Sequence, residues 1–210
     1  MKKNDDFNWD TYTENTYLPQ INDSLQSKEY EYFISENGLN YSDNGIEFKD
    51  NLHPNCKELY HIIDKLQPKS ILECGCGGCF TLRNLEEVIP NAEIFGIDLS
   101  KKQLDLTSSF VQLSKKLSKN ISVMDITKEM PDRKFDFVFT NAVIMHLNTD
   151  SAIKALNNIK NTSDKYVFLV ENDKSHEGWY EMVRNIFIEW DMLCSGRFIQ
   201  GAILLTKNEE

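Results

Sequence analysis

From Pro54 onward, short and almost continuously apolar runs alternate with amphipathic stretches, and few folds accept that pattern. Ser70–Cys74 (SILEC), Ala92–Asp98 (AEIFGID), Asn120–Met124, Phe135–Thr140 (FDFVFT) and Lys165–Val170 (KYVFLV) have the length and composition of buried strands. Leu59, Ile62, Ile63 and Leu66 recur at helical spacing ahead of the first strand, and Pro68 ends that helix. Leu82, Leu85, Val88 and Ile89 give a helix after it. Ser100 is an N-cap for a helix carrying Leu104, Leu106, Phe110, Val111 and Leu113, and Ile153, Ala155, Leu156 and Ile159 mark another. Strands alternating with helices make βαβ units and a parallel sheet. Strands this apolar require cover on both faces of that sheet. The end of the chain breaks the rhythm. After a helix around Trp179–Phe187, two β-like stretches, Ile188–Cys194 and Phe198–Lys207, are joined only by Ser195-Gly196-Arg197. So short a link cannot hold a crossover, so the two must pair antiparallel.

The first 53 residues have a different texture, rich in Asn, Asp, Glu and Tyr, with aromatics Phe7, Trp9, Tyr12, Tyr17, Tyr30, Tyr32 and Phe33. Disordered tails are poor in aromatics. We therefore expect residues 1–53 to form a helical cap or arm over an active site carried by residues 54–210.

Charge excludes some partners. The 210 residues hold 23 Lys and Arg against 33 Asp and Glu, a net charge of −10. A duplex nucleic-acid binder needs a basic face, and an anionic membrane surface would repel this chain. No apolar run approaches the roughly 18 residues of a membrane span, and the polar start offers no signal core. Five cysteines are an odd number without framework spacing, which suits a reducing, cytoplasmic setting.

The chemistry concentrates at Ile71-Leu-Glu-Cys-Gly75-Cys-Gly77-Gly78-Cys79. Glycines there let the backbone turn sharply where a parallel strand meets a helix, the place where open α/β sheets bind ligands. Asp98 ends the next strand, where a carboxylate can accept from ribose hydroxyls. The pair implies a nucleoside-containing cofactor. A dinucleotide fingerprint would need glycine at the sixth position from Gly75, which is Phe80. Glu73 ahead of the glycines suits a cationic cofactor better than a pyrophosphate. A sulfonium cofactor with a free amino-acid end fits, and an NAD enzyme is disfavoured.

Ile71–Thr81, Glu93–Asp98, Val123-Met-Asp125 and Phe135–Asn141 resemble, in order and spacing, the motifs of class I S-adenosylmethionine-dependent methyltransferases. The likeness runs from about Pro54 to Lys207. It implies a Rossmann-like, seven-stranded, mostly parallel sheet whose C-terminal hairpin is antiparallel, with helices on both faces. More narrowly, Trp9…Tyr17, Leu82–Leu85, Thr140–Asn148 and Ser163–Tyr166 resemble small methylases of pseudaminic-acid and other surface-glycan biosynthesis. The resemblance implies that Glu73, Gly75 and Gly77 line the methionine part of S-adenosylmethionine. Asp98 would hold its ribose, with Leu99 beside the adenine. Asp125 would meet the adenine amino group, Ile126 would give a backbone contact, and Asn141 would lie near the reactive methyl. Many members have glycine where this chain has Cys79, and Gly78 is expected to supply that flexibility instead.

His146 and Glu171 are the candidate catalytic bases, each set against a structural reading: a histidine common at this place, and a helix cap or solvated turn. Asn172 and Asp173 close the same strand as Glu171. His176, Trp179 and Tyr180 either wall the acceptor pocket or pack a helix. His53 and His61 read as helix-start and helix-face residues, and Asp5-Asp6 and Lys115-Lys116 as solvated charge. Cys74, Cys76 and Cys79 have the density of metal thiolates, but no fourth ligand is near in sequence, so packing is the expectation and no metal is called. The predicted activity is methyl transfer to an oxygen of a small polar acceptor, such as a sugar or sugar-nucleotide precursor of a surface polysaccharide. Two alternatives stay open: N-methylation of a small molecule, and a silent cofactor-binding partner protein.

Overall fold

The apolar runs become strands and the amphipathic stretches become the helices that cover them. The computed structural model describes residues 8–27, 30–194 and 201–208. Asp5-Asp6, Phe7, the Ser195-Gly196-Arg197 link and Phe198 lie outside the described residues. In chain order come α1 (Trp9–Tyr12), a π-turn (Thr13–Tyr17), α2 (Leu18–Ser27), β1 (Leu39–Ser42), β2 (Gly45–Phe48), α3 (Pro54–Leu66), β3 (Ser70–Cys74) and α4 (Phe80–Val88). Next are β4 (Glu93–Asp98), α5 (Lys101–Phe110), α6 (Lys115–Ser118), β5 (Ile121–Val123), β6 (Phe135–Asn141) and a 3₁₀ turn (Ile144–His146). The last are α7 (Thr149–Thr162), β7 (Ser163–Val170), α8 (Trp179–Ile186), β8 (Trp190–Cys194) and β9 (Ala202–Lys207).

Seven strands form one sheet in the order β5-β4-β3-β6-β7-β9-β8. Strands β3 to β7 run parallel, and β9 lies antiparallel between β7 and β8. The chain steps outward from β3 through β4 to β5, then returns to β6 on the other side of β3. Such a reversal opens a crevice beyond the carboxyl ends of the strands. Every residue of β3 is buried, because a core packs on each face of the sheet. Ile71, Phe137, Phe139 and Phe168 meet Leu59, Ile63, Leu82 and Leu85 from α3 and α4 on one face. Leu72, Val138, Val167 and Leu169 meet Ala155, Leu156, Ile159 and Val183 from α7 and α8 on the other. Each such side chain contributes about 1.5–3 kcal/mol. Pro54 opens α3 in its first turn, His53 Nδ1 accepts the Asn55 N–H at 3.2 Å, and Gln67 ends the helix at φ 46° just before Pro68.

Several boundaries differ from the sequence reading. Helix α5 stops at Phe110, because Ser114 Oγ accepts the Leu117 N–H at 3.0 Å and starts α6. Strand β8 begins at Trp190, leaving Ile188 exposed, and the described part of the last strand is Ala202–Lys207, the start of the expected stretch lying outside the described residues. The antiparallel pairing holds, with Met192 opposite Leu205. The first 53 residues are not purely helical. They include the hairpin β1–β2, whose turn uses Asp43, Asn44 and Gly45 at φ 103°. That hairpin buries Ile46 against α3, and the Ile46 N–H donates to Asp64 Oδ2 at 3.2 Å.

Candidate active site

The loop after β3 is lashed to the end of β4. The N–H groups of Gly75 and Cys76 both donate to the Ile97 carbonyl, at 2.7 and 3.0 Å. Asp98 then accepts from Gly77 N–H at 2.8 Å on one oxygen and from Ser100 N–H at 2.7 Å on the other. Burial raises the Asp98 pKa, and the two N–H donors only partly offset it. Gly75 stands at φ 78°, and a Cβ there would lie 2.3 Å from a Val143 methyl, so the residue must be glycine. Cys79, not Gly78, takes the left-handed conformation, at φ 61°. The expectation that Gly78 substitutes for the missing glycine is therefore corrected. A non-glycine residue there costs of order 1–3 kcal/mol, opposed by full burial of the Cys79 side chain, whose Sγ lies 3.7 Å from Cys76 Sγ. Cys74 faces the opposite core from Cys76 and Cys79, because strand side chains alternate. Among the described residues no group of three or more His, Cys, Asp or Glu is placed to hold a metal ion.

A cavity of about 590 Å³ opens at this crevice. Glu73, Gly75, Gly77, Asp98, Leu99, Asp125, Ile126, Asn141 and His146 all line it. Glu73 is 3% exposed, and one of its oxygens has no hydrogen-bond partner. Burial, with the neighbouring Cys79 and Asp98, holds its carboxyl well above the ordinary range, against a bond from Thr81. Leu99 is 50% exposed at the cavity wall. Asp125 accepts from Thr127 Oγ1 at 2.7 Å and pairs with Lys128 at 2.8 Å. Partial burial raises its pKa, but these partners outweigh it and set the carboxyl below the ordinary range.

His146 lies on the 3₁₀ turn, with its ring edge-on to Trp9 at 5.3 Å between centroids. Glu171 is not beside it in the cavity, contrary to its reading as a base. Its two oxygens accept the Val143 and Met145 N–H groups at 3.2 and 3.0 Å, and it is buried at the end of β7. It borders a side pocket of about 390 Å³ shared with Asn141, Asn172, Asp173 and Lys174. His176 and Trp179 do not wall the acceptor space either. Both are buried behind the turn, with rings stacked at 5.9 Å. Tyr180 is on the outside, its hydroxyl donating to Asp173 at 3.2 Å. His53 is the α3 cap and also reaches the cavity wall, and His61 packs on Phe48.

The N-terminal segment supplies contacts that sequence reasoning did not assign. Trp9, Tyr12 and Tyr17 line the cavity. Ser100 Oγ donates to Asp10 Oδ1 at 2.8 Å, and Lys102 pairs with Glu14. The Tyr17 hydroxyl bonds to the Gly78 backbone, and burial raises its pKa. The aromatic spacing signalled an ordered segment, but the π-turn that aims Tyr17 has no sequence signature.

Residues 71–164 match a family model described as a methyltransferase domain. A curated relative, uncharacterized protein RP028 of Rickettsia prowazekii (strain Madrid E), is 28% identical over 102 residues, which are 46% of this chain and 40% of that protein. The chain thus spans less than half the length of that relative. Among solved structures, magnesium protoporphyrin IX methyltransferase of Synechocystis PCC 6803 with bound S-adenosylmethionine superposes with a TM-score of 0.64 at 14% identity, over 98% of this chain and 100% of that one. The sugar N-methyltransferase KedS8 of a Streptoalloteichus species gives 0.60 at 12% identity, over 73% of this chain and 87% of that one. The plantazolicin methyltransferase BpumL gives 0.62 at 13% identity, over 95% and 94%. At these identities the structures share the fold.

Proposed function

We propose that this chain, whose residues 71–164 match a methyltransferase-domain model, transfers a methyl group from S-adenosylmethionine to an oxygen of a small polar acceptor. The observation that carries the proposal is the buried Glu73 carboxylate, with one orphaned oxygen, at the wall of the cavity beside the glycine loop. Burying such a group without a partner is costly, and the ammonium of a methionine moiety would relieve it. The remaining lining fits the same molecule. Gly75 and Gly77 leave room for close backbone approach, Asp98 has lone pairs left for ribose hydroxyls, and Leu99 offers an apolar face to an adenine. Asp125 and Ile126 line the cavity and are assigned to the base edge, and Asn141, at the end of β6, is assigned to the neighbourhood of the methyl.

When bound, the cofactor supplies an electrophilic methyl on a sulfonium. The chain's own part is to hold the acceptor in line and to remove its proton. An alcohol is a poor nucleophile while protonated, and a positioned base contributes typically about 10²–10⁴-fold. His146, an imidazole at the cavity wall on the turn after β6, is the group we assign to that task. The lining bears on the acceptor too. Glu31, Asp98 and Asp125 give it a negative field, which favours a neutral sugar or an amine over a sugar nucleotide with its diphosphate. An amine acceptor would make the chain an N-methyltransferase, the second reading this charge supports.

The test is incubation with S-adenosylmethionine and a panel of neutral sugars, sugar nucleotides and amines, followed by mass spectrometry for S-adenosylhomocysteine and a methylated product. His146→Ala should lower turnover at least about tenfold while S-adenosylhomocysteine affinity stays near wild type. Full turnover in that variant would remove His146 as the base. Cofactor binding without any product would leave a silent binding protein.

A further inference from the structure

We infer that Glu171 and His176 are positioning residues, which together clamp the turn from Ala142 to His146 against the cofactor loop. The turn needs such a clamp. Ala142, directly after Asn141, is held at φ 57°, a left-handed conformation that a residue with a Cβ adopts only when its surroundings enforce it. Its N–H is tied to the Val170 carbonyl at 2.8 Å. The next residues are gripped by two buried ionisable side chains from the opposite side of the β7 end. Glu171 takes the N–H groups of Val143 and Met145, one on each oxygen, and the His176 ring nitrogen Nε2 donates to the Ile144 carbonyl at 3.0 Å. Glu171 and His176 are 3% and 4% exposed, and the stacked Trp179 behind His176 is 2% exposed. The clamping side chains are therefore buried, although both belong to the segment that joins β7 to α8.

What it positions is specific. Val143 is the residue whose methyls close on Gly75, and His146 is the ring that meets Trp9 across the cavity. A carboxylate fits here because it presents two acceptors and no donor, so it serves two converging N–H groups at once. Its burial raises its pKa, and these backbone donors pull the value back towards the ionised form. The clamp rests on the proposed methyl transfer only for the meaning of His146, because its geometry is present without any ligand.

The test uses the full chain without ligand. In Glu171→Gln one acceptor oxygen becomes an amide donor facing an N–H, so one of the two bonds is lost. His176→Phe keeps a ring against Trp179 and removes the donor to Ile144. Amide hydrogen exchange is followed by mass spectrometry, with the His146 ring followed by NMR titration. Exchange across residues 141–147 should rise at least tenfold in each variant, with peptides of α4 and α7 unchanged. The His146 resonances and titration midpoint should also move. Unchanged exchange and unchanged His146 signals would overturn the clamp, as would exchange rising equally in α4 and α7, the mark of a purely global role. If one variant does not fold, the other carries the test. Wild-type titration with S-adenosylhomocysteine keeps the two ideas apart. Its failure would remove the methyltransferase reading and leave the clamp result standing.

Discussion

Glu73 is a buried carboxyl at the cavity wall, and in the proposed function it gives up stability for binding. Its carboxyl is buried with its pKa raised, so the folded chain binds that proton more tightly than the unfolded chain does. A raised carboxyl contributes stability that is fully present below its unfolded pKa, near about 4.5, and is lost as pH rises towards the folded value. Asp98 and Glu171 are shifted in the same direction and add to the slope. Ligand-free protein should therefore lose thermal stability from these groups as pH rises above the ordinary carboxylate range. Glu73→Gln keeps the shape and removes the charge. It should melt higher than wild type at pH 8, converge with it near pH 5, and bind S-adenosylhomocysteine at least about tenfold more weakly, since charged hydrogen bonds contribute roughly 1.5–3 kcal/mol. Melting curves at the two pH values with calorimetric titration check this, and an unchanged affinity would remove Glu73 from the cofactor site. The carboxylate was legible in the sequence because it precedes glycines at a strand end. That Glu171 serves the backbone was not, since its donors Val143 and Met145 belong to a turn whose path depends on Ala142 at positive φ.

The elements were read best where periodicity is strong. Helices α3, α4 and α7 and strands β3, β4, β6 and β7 follow from apolar spacing, and antiparallel β8–β9 follows from their short connection. The errors fell where local chemistry overrides spacing. Ser114 restarts a helix within an apolar-periodic stretch, and Asp43-Asn44-Gly45 turns a hairpin where only a helical cap was expected. That second signal was present, since Asn-Gly between alternating apolar residues favours a tight turn. The N-terminal helical segment reaches from the cofactor loop to His146 through Asp10, Glu14, Tyr17 and Trp9. A π-turn within such a segment often marks a functional site. We expect Tyr17→Phe, which removes the bond to the Gly78 backbone, to weaken S-adenosylhomocysteine binding about fivefold, the equivalent of one hydrogen bond of about 1 kcal/mol, and to lower the melting temperature modestly. Calorimetry on the variant measures it, and equal affinities would make Tyr17 a packing residue only.

At the scale of the molecule, the two-sided core fixes a sheet whose strand order reverses at β3, and that reversal decides where a ligand can enter. Glu73, Asp98, Asp125, Asn141 and His146 come from four separate strand ends, yet they line one cavity because each sits at or beyond the carboxyl end of a parallel strand. This convergence follows from topology, so a reading of the strands alone could anticipate it. The rest of the cavity wall could not be anticipated, because it includes the N-terminal segment, which follows no repeating pattern. Among the described residues no helix is long and apolar enough to cross a membrane. The central claim is that this cavity holds S-adenosylmethionine by Asp98 and its neighbours. Calorimetric titration of wild type and Asp98→Ala with S-adenosylhomocysteine addresses it most directly. The account predicts one site per chain in the wild type. It also predicts at least about tenfold weaker binding in the variant, which loses charge-assisted bonds of roughly 1.5–3 kcal/mol together with the tether on Gly77. No binding to the wild type, or equal binding to both proteins, would contradict it.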